Sequence, residues 1–149
     1  RSRGLGDVYK RQGYWFKWKK DPKYMDTILM YAQRGHGKRS SFYSDYTLGI
    51  WSKNSVIPIA KAYSGYTDDE LNKIDRFIRK NTIAKYGPVR EVKKLLVIEL
   101  AFDSAQISTR HKSGIALRFP RVSRIRWDKP VNHVQSIEEI KKELSIYHS

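Results

Sequence analysis

The sequence contains no cysteine, so it can form neither a disulfide bond nor a thiolate metal site. Acidic residues are also scarce: 15 Asp and Glu stand against 30 Lys and Arg, which gives a formal net charge of +15 at pH 7. The longest apolar run, residues 95–102, is interrupted by Glu99 and is far too short to cross a bilayer. These absences exclude a disulfide-stapled domain and a helical membrane protein, and they favour a cytoplasmic location.

The chain of 149 residues is long enough for one domain with a hydrophobic core. Its excess positive charge predicts a polyanionic partner, most simply nucleic acid; no basic amphipathic helix that would lie on a membrane is apparent. Residues 1–12 carry four basic residues and one acidic residue without periodicity, and we interpret them as a non-native extension. They contribute +3, so the remaining residues still carry +12 and the basic character belongs to the domain.

Hydrophobic patterning predicts a mainly β fold with two helices. Strands rich in aromatic and β-branched residues are expected at 27–33, 42–51, 56–63, 95–102 and 115–119. Capping boxes predict where the helices begin, with one helix over about 67–81 and a short C-terminal helix over 136–149. Two tyrosines of the second strand, Tyr43 and Tyr46, could stack on bases of single-stranded nucleic acid or fill the core.

A basic, glycine-rich loop joins the first two predicted strands. Ala32 and Arg39 stand where a P-loop requires Gly and Ser or Thr, so the loop is not a nucleotide-binding P-loop. We interpret it as a flexible cationic loop that approaches a phosphodiester backbone. His36 has no visible partner for a metal ion, and we predict no metal site in this chain.

The segment 114–129 combines strand periodicity with an unusual density of arginine. Arginines occupy positions 118, 121, 124 and 126, and the segment ends in Arg126-Trp127-Asp128-Lys129. Guanidinium groups match phosphate oxygens, although a solvated edge strand with the same charges is an alternative interpretation. The sequence Gly-Ile-Ala-Leu-Arg-Phe-Pro-Arg, followed by Arg-x-Asp-Lys, resembles the C-terminal part of ATP-dependent DNA ligases, most closely the bacterial members.

This resemblance implies a five-stranded OB-fold barrel over residues 23–135, with the helix at 67–81 capping it and the helix at 136–149 closing the chain. Arg-x-Asp-Lys corresponds to nucleotidyltransferase motif VI. Residues 13–22 resemble the last strand of a preceding adenylation domain, the end of motif V, followed by a hinge. Lys17 and Lys19 match the motif V lysines that approach the nucleotide phosphates.

The resemblance also implies roles for individual residues. Arg126 and Lys129 are expected to contact the phosphates of ATP, and Asp128 to orient a cation and the leaving group. Arg118 and Arg121 are expected to face either phosphate or DNA. The side chains expected to bind DNA are Arg34, His36, Lys38, Arg39, Arg110 and Lys112.

The implied cofactors are ATP and Mg²⁺ in the complete enzyme, with neither held stably by this piece alone. The implied partners are nicked duplex DNA and an adenylation domain, in a monomeric enzyme acting near the bacterial nucleoid. The nucleophilic Lys-x-Asp-Gly motif of ligases does not occur here, so we do not expect the chain to ligate DNA by itself. Two alternatives are a stand-alone nucleic-acid-binding OB module and the OB domain of an RNA capping enzyme or RNA ligase.

Overall fold

The computed structural model of the protein describes residues 22–35, 37 and 41–148. Within them lie two α-helices, α1 (Asp68–Asn81) and α2 (Ile137–His148), and a 3-10 turn at Val131–His133. The described strands are β1 (Lys23–Arg34), β2 (Tyr43–Ser52), β3 (Ser55–Ala62), β4 (Thr82–Tyr86), β5 (Val89–Val92), β6 (Val97–Phe102), β7 (Ser104–Ile107), β8 (Ile115–Arg118) and β9 (Arg121–Arg126).

Strand β1 is the centre of a curled seven-stranded sheet. Along one edge it pairs with β2; along the other its first half pairs with β6 and its second half with β5, all antiparallel. Strand β3 extends the sheet beyond β2, β4 beyond β5, and β9 beyond β6. Strands β7 and β8 form a separate two-stranded hairpin. The mainly β, OB-type fold predicted from the sequence is confirmed.

Helix α1 packs against strands β2 and β5 of the sheet. Its apolar face buries Leu71, Ile74 and Ile78, each of which contributes about 1.5–3 kcal/mol of hydrophobic stabilisation. Thr67 accepts a hydrogen bond from the Glu70 amide while the Glu70 carboxylate accepts one from the Thr67 amide, so the predicted capping box is confirmed. The predicted end near residue 81 is also confirmed.

Helix α2 begins at the second predicted capping box. Ser136 and Glu139 exchange side-chain-to-backbone hydrogen bonds of 3.1 and 3.3 Å. The preceding 3-10 turn is attached to the sheet because the Trp51 indole donates a 2.8 Å hydrogen bond to the Val131 carbonyl. None of the helices in the described part of the chain is long and apolar enough to cross a bilayer.

Both tyrosines that could have stacked on bases belong to the core. Tyr43 is 6% exposed and Tyr46 is fully buried, where its ring packs edge-on against Tyr66. The Tyr66 hydroxyl donates to the Ser44 carbonyl at 2.9 Å, which satisfies its polar end inside the barrel. The core interpretation of these tyrosines is therefore the correct one.

The arginine-rich strand differs from its prediction because it is broken at Phe119. This residue has a left-handed backbone (φ 60°) and is 69% exposed, and Pro120 after it lacks an amide for the ladder. Strand β8 before the break pairs with β7, whereas β9 after it pairs with β6. The sequence also did not predict β4, β5 or β7, which have only four or five residues each, so their apolar periodicity is weak.

Residues 1–21 lie outside the described residues. The predicted non-native extension at 1–12 and most of the predicted motif V strand and hinge at 13–22 therefore stay predictions. The boundaries proposed at 23, 135 and 136 likewise remain sequence-based, although β1 begins at Lys23 and α2 begins one residue after Ser136.

Candidate functional site

Motif VI lies at the end of β9, beside the strands that form the middle of the sheet. Asp26 of β1 is opposite Glu99 of β6, and Glu99 is in turn opposite Arg124 of β9. Directly opposed residues of paired strands project from the same face of the sheet. The turn that follows β9 is closed by a 3.2 Å hydrogen bond from the Lys129 amide to the Arg126 carbonyl, so Lys129 returns toward this row.

Three cations and two carboxylates meet there and form what we call the charge cluster: Asp26, Glu99, Arg124, Arg126 and Lys129. The Lys129 ammonium group binds the Asp26 carboxylate directly. An Arg126 guanidinium nitrogen lies 3.7 Å from Asp26 Oδ1 and 3.7 Å from Glu99 Oε2, and Arg124 Nε lies 3.4 Å from Glu99 Oε1. The cluster retains one excess positive charge.

A small polar recess of about 210 Å³ opens beside the charge cluster. Asp26, Glu99 and Lys129 line it together with His133, which sequence reasoning left without a partner. No local sequence pattern points to His133, because it comes beside β1 only through the position of the 3-10 turn in the folded chain. Among the described residues no group of three or more His, Cys, Asp or Glu side chains could hold a metal ion. The cation-rich donors fit a polyphosphate, and they do not fit Mg²⁺.

Trp127, the variable residue of the motif, faces helix α1. Its ring is 48% exposed and packs edge-on against Phe77 with ring centroids 6.1 Å apart. Lysine and arginine side chains of α1 surround this aromatic pair, and they are Lys73, Arg76 and Lys80. Asp128 follows Trp127 in the turn and is exposed.

Arg118 and Arg121 are not brought to the charge cluster. Arg121 begins β9 and Arg126 ends it, so about 17 Å of extended strand separates their α-carbons. Arg121 instead pairs with Asp103 at 3.1 Å and stacks on the Phe119 ring at 5.8 Å. The sequence left open whether Arg118 and Arg121 face phosphate or DNA, and their position favours a separate surface with Phe119 between them.

A second basic surface is the groove between the β7–β8 hairpin and the β2–β3 pair. The predicted DNA-binding residues Arg110 and Lys112 line this groove, which has a volume of about 470 Å³. His111 and Lys61 line it too, and neither was singled out from the sequence. Lys61 could not have been found by local pattern, since it reaches the groove only because β3 packs beside β8.

The base of the predicted cationic loop is held by helix α1. Asp75 accepts hydrogen bonds of 2.8 Å from the Tyr43 amide and from Arg79 Nε. The hydrogen bond and the charge of Asp75 raise the pKa of Arg79 above its usual value. The guanidinium groups of Arg79 and Arg34 lie 5.2 and 5.3 Å from the Tyr43 ring. The structure thus places Arg34 at a fixed loop base, which is organised by a buried carboxylate.

The remaining predicted site residues cannot be placed. Lys17 and Lys19, expected near the nucleotide, and His36, Lys38 and Arg39, expected at DNA, lie outside the described residues. Their roles stay predictions.

Fold and site together define a basic OB-type domain with one cluster suited to a polyphosphate and a separate groove suited to nucleic acid. Residues 39–129 match the family described as the ATP dependent DNA ligase C terminal region. The match covers more than half of the chain, and the chain belongs to this family. The resemblance read from motif VI is thereby confirmed.

Similar proteins agree with this family assignment. A probable DNA ligase of Koribacter versatilis is 40% identical over 95% of this chain and 24% of its own length. A probable DNA ligase of Opitutus terrae is 40% identical over 86% of this chain and 13% of its own length. The DNA ligase 1 of Korarchaeum cryptofilum is 35% identical over 89% of this chain and 25% of its own length. The chain thus spans a quarter or less of these relatives.

A solved structure shares the fold. The ligase domain of M. tuberculosis LigD superposes with a TM-score of 0.64 at 16% identity, over 76% of this chain and 38% of that chain. At this identity the likeness establishes the architecture alone.

Proposed function

We propose that this chain is the C-terminal OB domain of an ATP-dependent DNA ligase, which closes over ATP during enzyme adenylylation and grips nicked duplex DNA during sealing. The observation that carries the proposal is the convergence of Arg124, Arg126 and Lys129 at one end of β9, in a chain of this ligase family. A partner adenylation domain supplies the nucleophilic lysine and the nucleotide pocket.

Arg126 and Lys129 have the chemistry to stabilise the outer phosphates of ATP. Negative charge develops on the departing pyrophosphate when AMP is transferred to a lysine, so cations placed there lower the barrier. Asp128 is exposed in the same turn and helps to orient a cation and the leaving group. Mg²⁺ is held with the nucleotide outside the charge cluster, whose cations would repel it. Lys17 and Lys19 approach the same phosphates from the preceding strand.

The DNA surface is assigned to the groove lined by Lys61, Arg110 and Lys112. Phosphodiester contacts need several lysine or arginine side chains in reach of one backbone, and the groove provides them without a carboxylate in its lining. Further contacts come from the cationic loop, with Arg34, His36, Lys38 and Arg39, and from the Phe119 surface, with Arg118 and Arg121.

Two sites on one rigid barrel require the domain to reorient between steps. The charge cluster lies at the end of β9, and Arg121 at its start belongs to the Phe119 surface. We assign this reorientation to a hinge at the end of the segment 13–22, just before β1, because the residues from Lys23 onward are paired with β6. The enzyme is a monomer of the bacterial cytoplasm that works at the nucleoid. Such a lid-type movement separates adenylylation from sealing.

The alternative of a stand-alone module for single-stranded nucleic acid receives no support from Tyr43 and Tyr46, because both are buried. An RNA capping enzyme or RNA ligase would use the same charge cluster. This alternative disagrees with the match to the ATP-dependent DNA ligase family.

The decisive experiment uses a polypeptide that joins this region to its adenylation domain. Arg126→Ala or Lys129→Ala should reduce labelling of the enzyme with AMP by about 100-fold, the usual effect of losing one transition-state contact. Sealing of a pre-adenylated nick should fall far less. Lys93→Ala, which removes an exposed lysine outside both sites, is the control. Equal loss in the two steps would contradict the phosphate role.

A further inference from the structure

The cations of motif VI are already bound to carboxylates of their own domain. Asp26 holds Lys129 directly and contacts Arg126, and Glu99 lies between Arg124 and Arg126. These side chains are partly enclosed, because Asp26 is 15% exposed and Glu99 is 17% exposed. A phosphate that approaches Arg126 or Lys129 therefore meets cations whose N–H groups already face carboxylates.

We propose that Asp26 and Glu99 are positioning residues that form a carboxylate latch on motif VI. They hold Arg126 and Lys129 in one arrangement, and a polyphosphate binds by displacing them. The proposal rests on the phosphate role of motif VI proposed above. It adds that the carboxylates lower the affinity for phosphate in general and so favour ligands with several adjacent negative charges, such as a triphosphate.

The geometry makes the latch releasable. Asp26 on β1 and Glu99 on β6 are directly opposed, so the two carboxylates act on the same cations from one face of the sheet. Asp26 Oδ1 is buried and accepts no hydrogen bond from the described residues, and its contact to Arg126 is 3.7 Å long. Both contacts of Arg126 to the carboxylates are too long for hydrogen bonds and 30% of its side chain is exposed, so Arg126 can turn to a phosphate without breaking a hydrogen bond to either carboxylate.

Selectivity follows from charge density. A single phosphodiester brings one negative charge and competes poorly against two fixed carboxylates. A triphosphate brings several charges on adjacent groups and can replace both carboxylates at once. The latch thereby makes the charge cluster selective for the triphosphate of a nucleotide over the DNA backbone. The groove at Arg110 and Lys112 can bind the DNA backbone instead.

The test measures binding of inorganic tripolyphosphate and of orthophosphate to the whole chain at constant ionic strength. Backbone amide signals of residues 126–129 report occupancy at the site. Asp26→Asn and Glu99→Gln should each tighten tripolyphosphate binding roughly three- to ten-fold, the range expected for losing one partly enclosed ion-pair partner. They should also raise orthophosphate affinity relative to tripolyphosphate.

Glu91→Gln is a closely matched control. Glu91 is 19% exposed and pairs with Lys94 at 3.4 Å on β5, so the substitution removes the same charge from a similar environment outside the site. At about 0.15 M salt its effect should stay below about two-fold, because screening removes most distant interactions. Amide dispersion of each variant verifies folding, and Glu99→Gln decides the matter if Asp26→Asn does not fold.

The outcomes separate the latch from the proposed function. If Lys129→Ala leaves tripolyphosphate affinity unchanged, the phosphate role of motif VI is wrong and the latch falls with it. If Lys129→Ala weakens binding but Asp26→Asn and Glu99→Gln behave like Glu91→Gln, only the latch is overturned. If the two variants weaken binding, the carboxylates are structural supports and the latch is again overturned. Tighter binding in both variants, lost in Asp26→Asn combined with Lys129→Ala, supports it.

Discussion

The Asp26 carboxylate binds the Lys129 ammonium group across 103 positions of sequence. This ion pair joins the beginning of the central strand β1 to the turn that follows β9. Asp26 is close to the start of β1, so motif VI and the start of the domain are physically linked. A change of charge at either residue therefore alters the electrostatic environment of both β1 and the turn after β9.

The groove at the β7–β8 hairpin should supply much of the affinity for duplex DNA. Changing Arg110 and Lys112 together to glutamine should weaken binding to a nicked duplex and reduce the slope of log affinity against log salt by about two, since each phosphate contact contributes about one. Fluorescence anisotropy over a series of salt concentrations measures both quantities.

A double change of Lys85 and Lys93 to glutamine is the control for the groove. It removes the same charge from exposed positions that do not line the groove, so the slope should change little. A slope reduced equally by both double variants would show that total charge, and not the groove, governs binding.

Phe119 should affect stability and DNA affinity in opposite directions when it is changed to glycine. Its left-handed backbone costs about 1 kcal/mol, which glycine removes, so Phe119→Gly should raise the free energy of unfolding. The same change removes the exposed ring between Arg118 and Arg121 as a contact to nicked DNA, so the affinity for nicked DNA should fall several-fold. Urea unfolding and anisotropy measure the two effects.

Phe119→Ala separates the two causes. Alanine keeps a β-carbon in the left-handed region and therefore should not gain the stability that glycine gains. It should lose the same DNA affinity. Unchanged affinity in both variants would exclude Phe119 from the DNA surface.

Asp75 should be needed for the order of the cationic loop base. Asp75→Ala removes the acceptor for the buried Tyr43 amide and for Arg79, and it should cost about 2 kcal/mol of stability. Hydrogen exchange at the Tyr43 amide should accelerate. Asp69→Ala is the control, because Asp69 lies on the same helix and forms an exposed pair with Lys73 at 3.2 Å. It should cost only about 0.5 kcal/mol of stability. Similar losses of stability in the two variants would mean that the contacts of Asp75 with the loop base contribute no more than an exposed ion pair within the helix.

The elements that the sequence predicted are those encoded by neighbouring residues. Both helices begin at capping boxes whose partners are three positions apart, and α1 ends where its apolar period ends. The long strands β1, β2, β3 and β6 were predicted to within a few residues because their apolar content is high. The identity of motif VI was also readable, since four consecutive residues and their lead-in carry it.

Tertiary structure alone decided what surrounds those elements. The pairing of Asp26 and Glu99 with motif VI depends on β6 lying between β1 and β9, which no local pattern specifies. The length of β9 places Arg121 at one end of the strand and Arg126 at the other, although both belong to one arginine-rich segment. Strand register is set by burial of the whole sheet and not by any single strand. For this reason the sequence by itself determined which cations are present, and only the folded barrel determined which carboxylates hold them.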